Sequence, residues 1–290
     1  MKQTTVDAGD IWVVKVGSAL LTYDGRGLDE QLVKDLVNDI AVLRSQGKKV
    51  VLVSSGAVAQ GMHLLGFQTR PRVIHALQAA AAVGQMELIQ SYQSNFTAHG
   101  VRTAQILLTH DDLRSRNRYL NARITLTTLM DLGVVPIVNE NDTVATDEIR
   151  FGDNDRLAAR MAEMASADCL VLLSDVDGLH DANPREKGDA QLIREVTEIT
   201  PEIEAMAGQA RSSVGTGGMV TKLAAAKFAT EAGSRMVIAS GRELHPLRRI
   251  EDGATATWFL PKETTRSARK HWIAGTLSPS GSITVDAGAL

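Results

Sequence analysis

Two lysines and an aspartate stand where phosphate chemistry would need them. Lys15 lies in the apolar run Ile11-Trp12-Val13-Val14-Lys15-Val16 and is followed at once by Gly17 and Ser18. Lys222 closes the stretch Gly215-Thr216-Gly217-Gly218-Met219-Val220-Thr221-Lys222, which runs into a helical pattern, and Asp155 closes the string Gly152-Asp153-Asn154-Asp155. Glycine at the end of a strand or the start of a helix lets backbone N–H groups approach phosphate oxygens, and lysine adds a compact positive charge. Gly56, after Val51-Leu52-Val53-Ser54-Ser55, is a third such position. Each glycine alone is an ordinary turn signal. Their recurrence beside Lys15, Ser55, Asp142, Asp155 and Lys222 points to one site.

The segment ending at Lys222 is not a Walker A loop, because Thr221 rather than glycine precedes the lysine. Nor is it a dinucleotide fingerprint, since Val220 takes the place of the final glycine counted from Gly215. The string Asn139-Glu140-Asn141-Asp142, together with the one ending at Asp155, offers amides and carboxylates in a short span. Such a set binds an ammonium group through Asp and a carboxylate through Asn and backbone donors. Two Asx-rich turns, with Asp153 or Asn154 as a helix N-cap, account for the same residues equally well in isolation.

The elements that would hold these residues alternate. Short β-branched runs at 11–16, 49–53, 102–107, 134–138, 169–173 and 235–238 are separated by helical patterns at 29–46, 73–98, 117–132, 154–165 and 219–232. That rhythm predicts an open α/β/α sandwich with a mainly parallel central sheet, whose ligands bind at the carboxyl ends of the strands. Alanines 79–82 predict a close helix contact against the sheet or another subunit, and residues 141–151 read as a hairpin overhanging the site. From Trp258 the rhythm stops. We expect a domain over 8–257 and, over 258–290, a linker carrying Lys262, Arg266, Arg269 and Lys270 and then one strand.

A hydrophobic content of 44% supports a large core, and a net charge of −3, from 31 Lys and Arg against 34 Asp and Glu, gives no excess to condense on nucleic acid or an anionic membrane. Cys169 is the only cysteine, so no disulfide or cysteine-ligated metal site forms within the chain. The seven histidines show no ligand spacing. With no apolar run long enough to span a bilayer and no signal-peptide core at the start, the expectation is a cytoplasmic protein with a small-molecule partner, no membrane and no nucleic acid.

Taken in order, Val13 to Ser18, Ser54 to Val58, Asn139 to Asp142, Gly152 to Asp155 and Gly215 to Lys222 resemble the signatures of the glutamate 5-kinases, within the amino acid kinase family. The first two segments are shared widely in that family and the last three are more specific. The resemblance implies ATP-dependent phosphorylation of the L-glutamate side-chain carboxylate, the first step of proline biosynthesis, with Mg²⁺ entering on ATP. It implies that Lys15 and Lys222 flank the transferred phosphoryl group and that Asp155 positions them. Ser55, Asp142, Asn154 and Asn139 would hold glutamate. Ser174, Asp175 and the loop of Thr216, Gly217, Gly218, Met219, Val220, Thr221 and Lys222 would contact ATP. It further implies inhibition by proline, a homo-oligomer (dimer or tetramer), and a PUA-like module of which 272–290 is an incomplete start. Two positions depart from the family pattern: Ser174 for threonine keeps the hydroxyl, and Val220 for serine removes one. A relative acting on N-acetylglutamate, aspartate, carbamate or UMP, a non-catalytic nucleotide binder, and an RNA-binding tail are the competing readings.

Overall fold

The computed structural model describes residues 10–23, 27–144, 154–184, 186–208 and 218–262. In chain order its strands are β1 (Ile11–Val16), β2 (Thr22–Tyr23), β3 (Gly27–Leu28), β4 (Lys49–Val53), β5 (Thr103–Leu108), β6 (Val135–Glu140), β7 (Cys169–Ser174), β8 (Leu179–His180), β9 (Leu192–Ile193), β10 (Glu195–Val196), β11 (Arg235–Ser240) and β12 (Ala256–Phe259). The helices are α1 (Ser18–Leu21), α2 (Glu30–Ser45), α3 (Ala57–Leu64), α4 (Ile74–Thr97), α5 (His110–Arg114), α6 (Arg116–Asp131), α7 (Asn154–Ala165), α8 (Pro201–Gly208), α9 (Met219–Glu231) and α10 (Pro246–Glu251).

Eight strands make one sheet in the order β10-β12-β11-β7-β1-β4-β6-β5, and every pairing is parallel except β11 with β12. The expected α/β sandwich with a mainly parallel sheet is the one formed. Both faces are covered, as a parallel sheet requires. Side chains alternate between faces along a strand, so Val13, Val51, Val53, Leu170, Leu172 and Ile238 pack on Leu157, Met161, Leu223 and Ala226 of α7 and α9. Trp12, Val14, Val50, Leu52, Val171 and Val237 pack on the opposite face, against Leu36, Ile40, Leu88, Tyr92 and Leu247 of α2, α4 and α10.

That alternation decides where the chemistry-bearing residues go. Lys15 shares the face of Val13, toward α7 and α9, and lies near the carboxyl end of its strand. Asn139 shares the face of Val135 and Ile137, toward α4. Two glycines bring α4 close. A Cβ on Gly61 of α3 would lie 1.7 Å from the Ala80 carbonyl oxygen, and one on Gly84 of α4 would lie 1.9 Å from that of Ala57. The two helix backbones therefore touch, and the alanine run at 79–82 serves this contact with α3.

Beyond α10, strand β12 carries the sheet through Trp258 and Phe259, past the boundary expected at 257; Phe259 is fully buried. Its antiparallel pairing gives no βα crossover rhythm, which is why the sequence pattern ended before the sheet did. The expected strand after 272 lies outside the described residues, and so does most of the 141–151 hairpin. No helix among the described residues is long and apolar enough to cross a membrane.

Candidate active site

Lys15, Asp155 and Lys222 come from three separate elements and meet. Lys15 Nζ is 2.6 Å from Asp155 Oδ1, and Lys222 Nζ is 3.0 Å from Asp155 Oδ2. All three side chains are buried. Asp155 is the second residue of α7 and Lys222 the fourth of α9, so both helices start at the site, at the end where unpaired N–H groups and the positive end of the helix dipole lie. Burial alone would raise the Asp155 carboxyl, but charge and hydrogen bonds from Lys15 and Lys222 outweigh it and hold the group well below the usual carboxylate range. Thr221 Oγ1 also donates to Asp155 Oδ2, at 3.0 Å. One carboxylate thus fixes two ammonium groups and a hydroxyl.

Beside this cluster the ends of β1, β7 and β11 form a shelf. Gly17 N–H donates to Leu173 carbonyl O at 3.3 Å, and Gly241 N–H to Ser174 carbonyl O at 2.9 Å. Ser174 is buried at the end of β7 and donates to Asp175 Oδ1 at 3.2 Å. Gly218 caps α9 without a side-chain bond, and a Cβ there would meet nothing within 4 Å. Among the described residues nothing fills the space at that helix start. Met219 begins α9, and Val220 is 59% exposed. Thr216 and Gly217 lie outside the described residues.

A second cluster, built of amides, sits at the ends of β4 and β6. Asn154 Nδ2 has three acceptors within reach of its two N–H bonds, Ser54 carbonyl O at 2.8 Å, Ser55 Oγ at 2.9 Å and Asn139 Oδ1 at 2.9 Å. Asn154 is the first residue of α7, so its side chain reaches across to β4 and does not cap its own helix. Gly56, at φ 96°, makes the left-handed turn that carries the chain from Ser55 into α3. Asp142 is half-buried, and burial pushes its carboxyl up to about 6 against a smaller opposing pull from Arg70.

The structure thus brings Lys15, Asp155, Lys222 and Thr221 into one group and Ser55, Asn139 and Asn154 into another. Asp155 and Asn154, adjacent in sequence, join the two. Sequence reasoning missed Gln85 and Tyr92. Gln85 Oε1 accepts from Asn139 Nδ2 at 2.7 Å, and Tyr92 OH lies 3.2 Å from Ser54 Oγ. A signal was present: Ala81, Gln85, Leu88 and Tyr92 follow i, i+4, i+7, i+11 spacing, which puts a glutamine on the buried stripe of α4. A compact cage for a cation is a different matter. Among the described residues no three His, Cys, Asp or Glu side chains converge, and Asp155 is engaged by two lysines.

Comparison with known proteins gives the family and the fold. The amino acid kinase family model matches residues 10–240. Glutamate 5-kinase of Burkholderia cenocepacia (strain HI2424) is 56% identical over 96% of this chain and 75% of its own length. Glutamate 5-kinase of Thioalkalivibrio sulfidiphilus (strain HL-EbGR7) is 53% identical over 100% of this chain and 78% of its own. Among solved structures, carbamate kinase from Giardia lamblia bound to AMP-PNP superposes with a TM-score of 0.60 at 18% identity, covering 89% of this chain and 100% of that one, a likeness of fold.

Proposed function

The chain belongs to the amino acid kinase family and groups there with the glutamate 5-kinases; on that premise we propose that it transfers the γ-phosphoryl group of MgATP to the side-chain carboxylate of L-glutamate. The observation that carries the reading is the single carboxylate, Asp155, that holds Lys15 and Lys222 together beside the amide cluster of Asn139 and Asn154.

A glutamate carboxylate has a reference pKa of about 4.3, so at neutral pH it is already the anionic nucleophile and needs no general base. Repulsion is the obstacle. Two unit negative charges about 4 Å apart cost roughly 4 kcal/mol at an effective dielectric of about 20. Catalysis therefore rests on positioning and on positive charge aimed at the phosphoryl oxygens. Lys15 and Lys222 supply that charge, and Asp155 sets their spacing; with its carboxyl held well below the usual carboxylate range by the two lysines, it is a weak base. The same Asp beside a hydroxyl acceptor would face an uphill proton transfer, which favours a carboxylate acceptor over a sugar or alcohol.

In this reading Asp142 binds the glutamate ammonium group, and Ser55, Asn139 and Asn154 complete the acceptor pocket. Ser174, Asp175 and residues 216–222 line the ATP side. Mg²⁺ arrives on the ATP phosphates and is held there largely by phosphate oxygens and water. When bound it offsets phosphate charge. Inhibition by proline competing with glutamate, and assembly into a homo-oligomer, belong to the same proposal and are checked by initial-rate kinetics and by sedimentation.

The deciding experiment is ATP-dependent hydroxamate formation from L-glutamate with hydroxylamine and Mg²⁺, with aspartate and N-acetylglutamate in parallel. Product from glutamate alone, lost in Lys222→Ala, is the expected result. Product from another acceptor would move the chain elsewhere in the family, and ATP binding without product would make it a binder.

A further inference from the structure

Helix α4 makes no strand-end loop, yet it reaches the acceptor pocket through Tyr92, beside Ser54, and through Gln85, which meets the amides themselves. Gln85 is 9% exposed and its Oε1 accepts from Asn139 Nδ2 at 2.7 Å. Asn139 is 2% exposed, and its Oδ1 accepts from Asn154 Nδ2 at 2.9 Å. Asn154 Nδ2 meets the Ser54 carbonyl at 2.8 Å, and a backbone carbonyl only accepts. That end of the chain of amides is therefore fixed in polarity: nitrogen faces Ser54, and the Asn154 oxygen faces away from it. Asn154 Oδ1 is buried and finds no hydrogen-bond donor among the described residues.

An amide can turn over, exchanging oxygen for nitrogen at almost no cost in shape. Only its partners decide which way it points. At Asn139 one partner is Asn154 Nδ2, which demands an oxygen, and the other is Gln85 Oε1, which demands a nitrogen. With Gln85 present both demands agree. Without it, Asn139 loses the partner that holds its outer side, and Asn154, whose Oδ1 finds no donor among the described residues, is held less firmly.

We propose that Gln85 is a positioning residue for the acceptor: by accepting from Asn139 Nδ2 it holds Asn139 Oδ1 on Asn154 Nδ2, and with the Ser54 carbonyl, which sets the polarity of Asn154, it fixes that side chain so that Asn154 Oδ1 is presented as an acceptor for a hydrogen-bond donor of the amino acid substrate. The proposal rests on the reading of this site as a glutamate-kinase site. It concerns the acceptor half alone, because the lysine cluster is held by Asp155 and shares no hydrogen bond with Gln85.

The test is steady-state kinetics of the full chain with Gln85→Met, which keeps size and removes the acceptor, and Gln85→Glu, which keeps an oxygen at the same reach. Ser91→Ala serves as control, since it removes a 2.7 Å bond from the same helix to Glu30 on α2. Gln85→Met should raise the glutamate KM about ten-fold or more, the cost of an unpaired buried donor, with the ATP KM within about two-fold. Gln85→Glu should return toward the parent value, and Ser91→Ala should leave the glutamate KM unchanged. An unchanged glutamate KM in Gln85→Met, an equal rise in both KM values, or no rescue by Gln85→Glu overturns the proposal. Wild-type side-chain amide exchange gives an independent arm that needs no variant to fold: slow exchange at Asn139 before glutamate is added supports the lock, and fast exchange overturns it. Failure of the wild-type chain to phosphorylate glutamate at all would sink the assignment of function, and the amide-exchange result would still report on the lock.

Discussion

At the scale of single residues, Asp155 carries opposite duties to stability and catalysis. Its carboxyl is depressed, so its contribution to stability is complete above the usual carboxylate range and is lost as pH falls through its lowered folded value. Asp155→Asn leaves two buried ammonium groups without a counter-charge, and we expect a loss of about 3–5 kcal/mol in urea-unfolding stability at neutral pH. Lys15→Met and Lys222→Met each should lower kcat about 10²–10³-fold, the size seen when one group that stabilises transition-state charge is removed. Glutamate KM should move little in either, as initial-rate kinetics will report. Asp142 titrates the other way. With its carboxyl near 6, it is neutral below that pH and loses its attraction for an ammonium group. Glutamate KM should therefore fall as pH rises through about 6, and Asp142→Asn should flatten that profile.

At the scale of elements, the contact between α3 and α4 sets the depth at which Gln85 and Tyr92 enter the polar network. Gly84→Ala would drive a methyl group into the Ala57 carbonyl, an atom fixed in the backbone of α3. The helices would have to separate, at a cost of about 1–3 kcal/mol or more by denaturant unfolding. Because α3 begins just after Ser55 and Gly56, the same variant should weaken glutamate binding more than ATP binding. Initial-rate kinetics that showed the reverse would mean that this crossing supports the ATP shelf instead. Strand-to-helix patterning made α4 legible as a helix; the touching backbones were not legible, since Gly61 and Gly84 lie far apart in the chain and each reads alone as a weak helix position.

At the scale of the whole molecule, Lys15 sits on β1 itself, while Lys222 on α9 and the Asn154–Asp155 pair on α7 ride on helices that pack against the central strands β7, β1 and β4. Cys169 begins β7 and is fully buried, and burial pushes its thiol up to about 12. Reaction with an aromatic disulfide reagent should therefore track global opening of the sheet and be negligible in the native protein. Adding ATP and glutamate together should slow that reaction further, since ligands that bind the folded form at about 100 times their Kd stabilise it by about 2.7 kcal/mol. Rapid labelling of the native protein would mean that β7 opens locally and that the sheet is not one cooperative unit.

The sequence by itself determined the parallel sheet, through β-branched runs alternating with helical stripes, and it singled out Lys15, Lys222 and Asp155 by their recurrence beside glycines and by the family signatures that they belong to, three residues that the fold brings into contact. It did not determine that one carboxylate spans both lysines, nor that Asn154 reaches past its own helix to the Ser54 carbonyl. Those contacts join residues 67 to 140 positions apart, and only the order of strands in the sheet brings them together. Nor did the pattern foresee β12, whose antiparallel pairing leaves no crossover signature. Local spacing fixes which face a side chain takes, by the period of strand or helix; which other face it meets is decided by topology, a property of the folded chain as a whole.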